Sequence, residues 1–469
     1  MSKPLEKLKE NQLGFLEVIS LSVAIIGPTQ SSSLIFGMIA ANVGPAVSLL
    51  ILLSVIALAF VSVSFIKFGQ EFSSAGSAYT YIKAGLGDYI GSFSGWALTF
   101  TYASWTGACT SGCGYLLSEF VRHLTGVDIP WYAYTAIALL TVWYITYRDI
   151  QVGTRVMLVV EIVSVALLVL IAADVIWQVS ETSGLSFEPL RLSTEAQWTG
   201  LGAGMVAALM SFGGFEGAAS LGAESRNPKK YIPLAIGSTV VLAGLVYVFV
   251  SFAEVNGFGV SPEGLAEFVA SGSTVVALTE RYLGFAASNV ITVVIAISAF
   301  STALGALTAS TRALYQLSQD GLAASWFSRV HPEYGTPYKA DNIIVLLVSL
   351  VVGAIVLFSS GTIDGFIVFN YLGTTGSLSL IAVYLLTNVS AIRYFGWKRQ
   401  VWTWQLSAPI IGTALFSYIL WSDVLDETLE FPYTIFPAVT FGLILAGAVY
   451  SLIYRKRQAE DELELVKSA

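Results

Sequence analysis

Twelve apolar stretches, each long enough to cross a hydrocarbon core about 30 Å thick, follow one another along this chain. They lie at 14–41, 43–67, 88–121, 130–147, 152–178, 196–223, 231–255, 285–318, 341–360, 364–389, 402–421 and 432–454. Lipid offers no hydrogen bonds, so each stretch must satisfy its own backbone and is expected to be a helix. Composition agrees. Of 469 residues, 55% are hydrophobic and only 12% charged, about half the charged share of an ordinary soluble domain. The expected fold class is an all-α integral membrane protein with twelve transmembrane helices. Lys3, Lys7 and Lys9 imitate the start of a secretory leader, but the apolar run behind them is too long for one and counts as the first span.

The basic residues set the orientation. With the N-terminus in the cytoplasm, twenty of the 23 Lys and Arg fall in inside loops, helix ends or the tail. Only Arg122, Arg191 and Arg281 fall outside. This positive-inside bias supports twelve spans in a cell membrane (plasma or inner), with both termini cytoplasmic. Residues 1–13 are then a cytoplasmic N-terminus and 457–469 a cytoplasmic acidic tail. The run Glu460–Glu464 reads as a solvated, irregular end.

Two spans contain stretches that a continuous helix cannot keep. Ile25–Ser33 reads I-I-G-P-T-Q-S-S-S. Pro28 has no N–H to donate, and the serines offer the backbone competing partners. Met210–Gly217 reads M-S-F-G-G-F-E-G, with three glycines to release the helix. Broken backbone at membrane depth survives only where protein or a cavity surrounds it, and paired breaks in two halves point to a transporter's binding site. The second break comes five spans after the first, so the two enter from opposite sides. Residues 14–178 and 194–390 are therefore expected to be inverted five-helix repeats, with 402–456 supplying helices 11 and 12.

The candidate substrate site combines both breaks. From the first come Gly27, Pro28, Thr29, Gln30, Ser31, Ser32 and Ser33; half-helix ends aim N–H groups at an anion and carbonyls at a cation. A plain kink, with the serines bonding back to their own helix, is the alternative. From the second come Met210, Ser211, Phe212, Gly213, Phe215 and Glu216. A carboxyl at mid-membrane is costly and so a functional candidate, or else a strut tying the broken backbone together. Candidates for a coupling proton or ion are Glu216 and Glu161, with Ser298, Ser301 and Thr302. Glu161 faces either a cavity or an inside partner such as Arg155, and the three hydroxyls either complete an ion site or bond neighbouring helices.

Other chemistry is poorly supplied. Cys109 and Cys113 read as small packing residues, and His123 and His331 sit in separate loops, so no metal, disulfide or cofactor is expected. Gly200, Gly202 and Gly204 lack the strand–turn–helix context of a nucleotide fingerprint. No nucleophile–base constellation suggests an enzyme, no repeated ring of charge suggests a channel, and no nucleic-acid partner is expected. The partners are a small-molecule substrate, a coupling proton or ion and the lipid bilayer. Among the connections, Ser73–Gly87 is apolar enough to lie against the bundle. Asp320–Lys339 reads as a short amphipathic inside helix followed by a Pro-punctuated loop, and Ser261–Tyr282 as a partly helical outside lid.

Three motifs carry a resemblance. Ala75–Tyr81 (A-G-S-A-Y-T-Y), Ser211–Glu216 (S-F-G-G-F-E) followed by E-S-R-N-P at 224–228 and Ile232-Pro233, and Ser310–Pro337 all resemble the amino acid–polyamine–organocation (APC) permease superfamily. Within it the chain is most similar to bacterial amino acid permeases and putrescine importers. The resemblance implies the leucine-transporter-type 5+5 inverted repeat, with substrate between spans 1 and 6 and contributions from spans 3, 8 and 10. It implies a secondary active transporter importing an amino acid by alternating access with a proton, or else an amine/polyamine permease or an exchanger. Members that bind α-amino acids usually read G-S-G-I-F in the first break; here Gly27–Ser31 reads G-P-T-Q-S. The hydroxyls can compensate, or the substrate is an amine whose ammonium pairs with Glu216. The Arg122–Pro130 loop has no Cys, so no disulfide-linked subunit is expected.

Overall fold

The computed structural model describes residues 7–148, 150–193, 198, 200–399, 404–424 and 431–468. Among them the secondary structure is helical apart from one parallel bridge between Leu13 and Ser225. The first crossing is two helices, α1 (Phe15–Ile26) and α2 (Pro28–Val43), and α3 (Val47–Glu71) returns. The Ser73–Gly87 segment folds into α4 (Ala78–Leu86), which lies against the bundle. Then come α5 (Asp88–Thr125), α6 (Trp131–Arg148) and α7 (Ile150–Thr182). The sixth crossing is α8 (Leu201–Phe212), the four-residue turn Gly213–Glu216 and a 3-10 turn, Gly217–Leu221. It is followed by α9 (Pro228–Phe258), the short α10 (Pro262–Ala270) and α11 (Thr274–Leu283), and α12 (Phe285–Gln319). The chain closes with α13 (Tyr338–Phe358), α14 (Gly365–Ala391) continued by a π-helical turn Ile392–Lys398, α15 (Ser407–Val424) and α16 (Phe436–Ser468).

Nine of these crossings among the described residues are long and apolar enough to span a membrane by length and composition. The segments expected at 88–121, 130–147 and 402–421 also contain helix, as α5, α6 and α15. They fall short because Gly, Ser and Thr dilute α5 and Trp, Tyr, Thr and Arg148 dilute α6, while the apolar helix of α15, Ser407–Ser422, is short. The first residues expected in span 11 (402–403) and in the second repeat (194–195) lie outside the described residues.

Two expectations need correction. Asp320–Lys339 holds a single 3-10 turn, Ser325–Ser328, in place of an amphipathic helix, because Gly321, Pro332, Gly335 and Pro337 interrupt it. The tail expected to be irregular continues α16 through Ser468; its run of Glu, Leu and Lys is a set of good helix formers.

Burial places the broken helices at the centre. The most apolar windows of the first and sixth crossings are 94% and 89% buried, against 28% for α7, α13 and Tyr433–Gln458. Around them α5 packs along α12 and α14, α3 along α9, and α2 along α8. Lipid-facing positions carry the exposed Leu and Val of α7, α9, α13 and α16.

Candidate functional site

The first crossing breaks at Gly27, which takes the left-handed conformation (φ 53°, ψ 65°) and closes α1 by donating to Val23 O at 3.0 Å. Pro28 then starts α2, where a missing N–H costs nothing. Two hydroxyls patch the freed carbonyl of Ile26: Ser31 Oγ donates to it at 2.7 Å, and Tyr247 Oη reaches it at 3.2 Å and Ser211 O at 2.8 Å. One tyrosine of α9 thus ties together the main chain of both breaks. The second break opens at Gly213 and at Gly214 (φ 95°). Ser22 Oγ of α1 donates to Phe215 O and accepts from Ala218 N–H, both at 2.8 Å.

The breaks also press directly on one another. A Cβ added at Gly214 would lie 2.1 Å from Ile25 Cγ2, and one at Gly217 would lie 2.6 Å from Ile25 Cδ1. Larger residues at these positions would push the two elbows apart. The serines divide their work: Ser32 Oγ bonds back to Pro28 O at 2.8 Å, whereas Ser33 Oγ shares a hydrogen bond with Ser273 at 2.5 Å. Ser32 and Ser33 therefore face their own helix and the α10–α11 lid.

Between the elbows lies a cavity of about 20 Å³, room for about one water molecule. Of the expected residues, Gln30, Ser31, Met210 and Thr302 line it. Gly27, Pro28 and Thr29 form the elbow beside it, and Thr29 Oγ1, Gln30 Oε1 and Ser211 Oγ are buried without partners. Phe212 packs edge-on against Tyr247 at 4.8 Å, and Phe215 packs against Tyr384 at 5.1 Å; neither faces the cavity. Sequence reasoning missed Trp105 and Cys109 of α5 and Phe369 of α14. Trp105 donates to Gly373 O at 3.2 Å, and a Cβ at Gly213 would lie 1.9 Å from its ring. The available signal was a Tyr and a Trp one turn apart, Tyr102 and Trp105, inside an otherwise small-residue span. A larger groove of about 700 Å³ opens between α1, α7 and α9. Its rim of Leu16, Ile162, Leu170 and Leu242, each more than half exposed, makes it a hydrocarbon-facing surface.

The two candidate acids, Glu216 and Glu161, occupy different places. Glu216 is fully buried and carries a clamp: Tyr102 Oη of α5 donates to its Oε1 and Tyr384 Oη of α14 to its Oε2, both at 2.5 Å. Gly214 N–H donates to the same Tyr384 oxygen at 3.3 Å. Glu216 thus bolts α5 and α14 to the second break and does not line the cavity. Glu161 of α7 accepts from Ser298 Oγ at 3.4 and 3.5 Å, with Ser301 beside it. Arg155 makes no ion pair with it. Thr302 Oγ1 donates to Ser298 O at 3.1 Å and lies where a Cβ of Gly27 would be, 2.2 Å away. Glu161 therefore meets α12 at Ser298, one helical turn before Thr302, which lies against Gly27 of the first elbow.

Both ends of the path are covered. At one end Thr274 Oγ1 of α11 donates to Ser32 O (3.2 Å) and Ser33 O (3.3 Å). At the other, the segment before α1 is strapped across the bundle: Gln12 N–H donates to Glu224 O at 2.8 Å and Arg226 N–H to Leu13 O at 2.9 Å. Beneath the strap Arg312 of α12 grips Glu224 with two bonds of 2.6 and 3.0 Å, both side chains at most 3% exposed.

With this geometry in hand, comparisons with known proteins are direct. The family model described as amino acid permease matches residues 13–453. The chain is 24% identical over 353 residues to the branched-chain amino acid permease BcaP of Bacillus subtilis, covering 71% of this chain and 73% of that protein. It is 25% identical over 362 residues to the low-affinity putrescine importer PlaP of Escherichia coli, covering 74% and 73% respectively. A methylthioribose transporter of Bacillus subtilis is 24% identical over 407 residues, covering 81% and 83%.

Proposed function

The chain belongs to the amino acid permease family of the APC superfamily, a multi-pass membrane transporter and no enzyme, and on that premise we propose that it imports an amino acid with an uncharged, apolar side chain. The observation that carries this reading is the cavity between the elbows. Trp105, Phe369, Met210 and Ile25 wall it, and no acidic or basic side chain lines it among the described residues. Thr29 and Gln30, in the first turn of α2, have N–H groups without intrahelical partners. They suit a substrate carboxylate, helped by the positive end of the half-helix. The break also frees carbonyls at the end of α1, and Ile25, which lines the cavity, offers one to the substrate ammonium. A diamine would need a counter-charge in the cavity, and Glu216 is spent on Tyr102 and Tyr384. This favours the specificity in the name of the branched-chain relative over that of the putrescine importer.

In this mechanism, residues 14–178 and 194–390 act as inverted repeats of a twelve-span bundle with both termini in the cytoplasm, and helices 11 and 12 (402–456) stand outside the moving core. Substrate binds between the elbows with the lid open, and the lid then closes on α2. Breaking the Glu216 clamp and the Arg312–Glu224 pair opens the other end. Glu161 carries the coupling proton, handing a change of charge to the first elbow through Ser298 and Thr302. Uptake of labelled leucine, alanine and putrescine into proteoliposomes, with and without an imposed pH gradient, tests the proposal. Saturable, gradient-driven leucine or alanine uptake is expected; putrescine uptake without either amino acid would contradict it.

A further inference from the structure

Away from the central path, a second cavity of about 170 Å³ lies where the end of α3, the π-turn after α14 and the start of α15 meet. One side of its wall is apolar, made by Val63, Phe395 and Pro409, while Lys67, Glu71 and Gln405 line its polar side. Lys67 is half-buried and has no carboxylate partner among the described residues. Glu71, one turn on, is already engaged by Tyr394 Oη at 2.9 Å and Arg399 at 3.2 Å. The neighbouring residues 400–403 (Q-V-W-T) contain no acid. The π-turn and its cap carry three further cations along the sequence, Arg393, Lys398 and Arg399; Lys398 donates to Ala84 O at 2.7 Å and Arg399 reaches Glu71. Trp397, 68% exposed, marks the level of the membrane interface, where such rings collect.

We propose that this pocket binds an anionic phospholipid, its headgroup on Lys67 and the first part of its acyl chain against Val63, Phe395 and Pro409. A free phosphate would use the ammonium and gain nothing from the apolar wall; an amphiphile uses both. Clusters of four or more basic residues at the end of a membrane helix attract anionic lipid on general electrostatic grounds. The site needs only that the chain lies in a bilayer, so its failure leaves the transport reading untouched, and the converse holds as well.

Native mass spectrometry of the detergent-purified protein tests it, with phosphatidylglycerol and phosphatidylcholine of the same acyl chains, and inorganic phosphate as competitor. The wild type is expected to retain phosphatidylglycerol over phosphatidylcholine, with millimolar phosphate displacing neither. Lys67→Gln should weaken phosphatidylglycerol about fivefold, the attraction of one basic residue for an anionic leaflet, and leave phosphatidylcholine unchanged. Val63→Trp, which keeps Lys67 but fills the apolar half, should lose the phosphatidylglycerol adduct and carries the test should Lys67→Gln not fold. Equal retention of the two lipids, displacement by phosphate, or wild-type phosphatidylglycerol binding by either variant overturns the proposal.

Discussion

At the residue scale the account turns on single atoms at the two elbows. Gly27→Ala would put a methyl group 2.2 Å from Thr302 Oγ1 on a backbone with φ 53°. We expect it to cost about 1–3 kcal/mol through overpacking and strain and to abolish uptake. Ser32→Ala, which removes only a bond back to Pro28 O, should lower the melting temperature and the uptake rate little. Thermal unfolding and uptake of the two variants, measured side by side, check the contrast. Tyr384→Phe strips one donor from the Glu216 clamp; an unsatisfied buried acceptor costs about 1–3 kcal/mol, more when charged. A Tyr384→Phe protein with wild-type melting temperature and uptake would show that the clamp does not hold the gate. Glu216 stood out in the sequence because an acid at membrane depth is rare, but its partners did not. Tyr102, Tyr384 and Trp105 come from spans that read as ordinary apolar helix, and only the packing of α5 and α14 brings them to the second break. The same packing keeps Glu216 out of the cavity lining and gives it bonds of the kind a strut makes, one of the two readings the sequence left open.

At the scale of elements, the proposed mechanism makes the half-helices and the lid the moving parts. Ser33 and Ser273 share a 2.5 Å contact between α2 and the turn before α11. Replacing both with Cys should allow a disulfide, since bonded sulfurs need only about 2 Å of separation. Oxidation of that double variant is expected to stop uptake and reductant to restore it, because the lid must leave α2 for substrate to enter; uptake unaffected by the cross-link would remove the lid from the mechanism. The breaks themselves were readable, since Gly-Pro and Gly-Gly at mid-span defeat a hydrogen-bond ladder by simple chemistry. The region after Asp320 was not. Its apolar periodicity suggests a helix, yet Gly and Pro at four positions leave one 3-10 turn. The tail was misread in the opposite direction, because charge was weighed over helix propensity.

At the scale of the whole molecule, coupling requires that one site sense the proton while another senses substrate. Glu161 bonds Ser298, one turn from the Thr302 that lies against Gly27 of the first elbow, whereas Glu216 meets the second through Tyr102 and Tyr384. Glu161→Gln cannot change charge, so net uptake should lose its response to a pH gradient, while exchange of internal for external substrate continues. Counterflow assays with and without a gradient distinguish this from a general loss of activity. Arg312→Ala leaves Glu224 buried and unpaired, at a cost of about 3–5 kcal/mol, and should open the end covered by the strap, read as faster alkylation of a Cys introduced at Ser225. The bundle's overall character was plain from its apolar stretches and basic loops. That its two interrupted spans are enclosed followed from the breaks themselves; how the other spans divide between core and lipid did not follow from hydropathy, which cannot separate a span buried in protein from one facing lipid.

The central claim is that the two elbows together hold the substrate. A substrate-bound structure tests it most directly. We predict the carboxylate on the N–H groups of Thr29 and Gln30 and the side chain against Trp105 and Phe369, in a cavity widened from its present size. Ligand bound elsewhere, as in the groove between α1, α7 and α9, or elbows that straighten into continuous helix around it, would contradict the account.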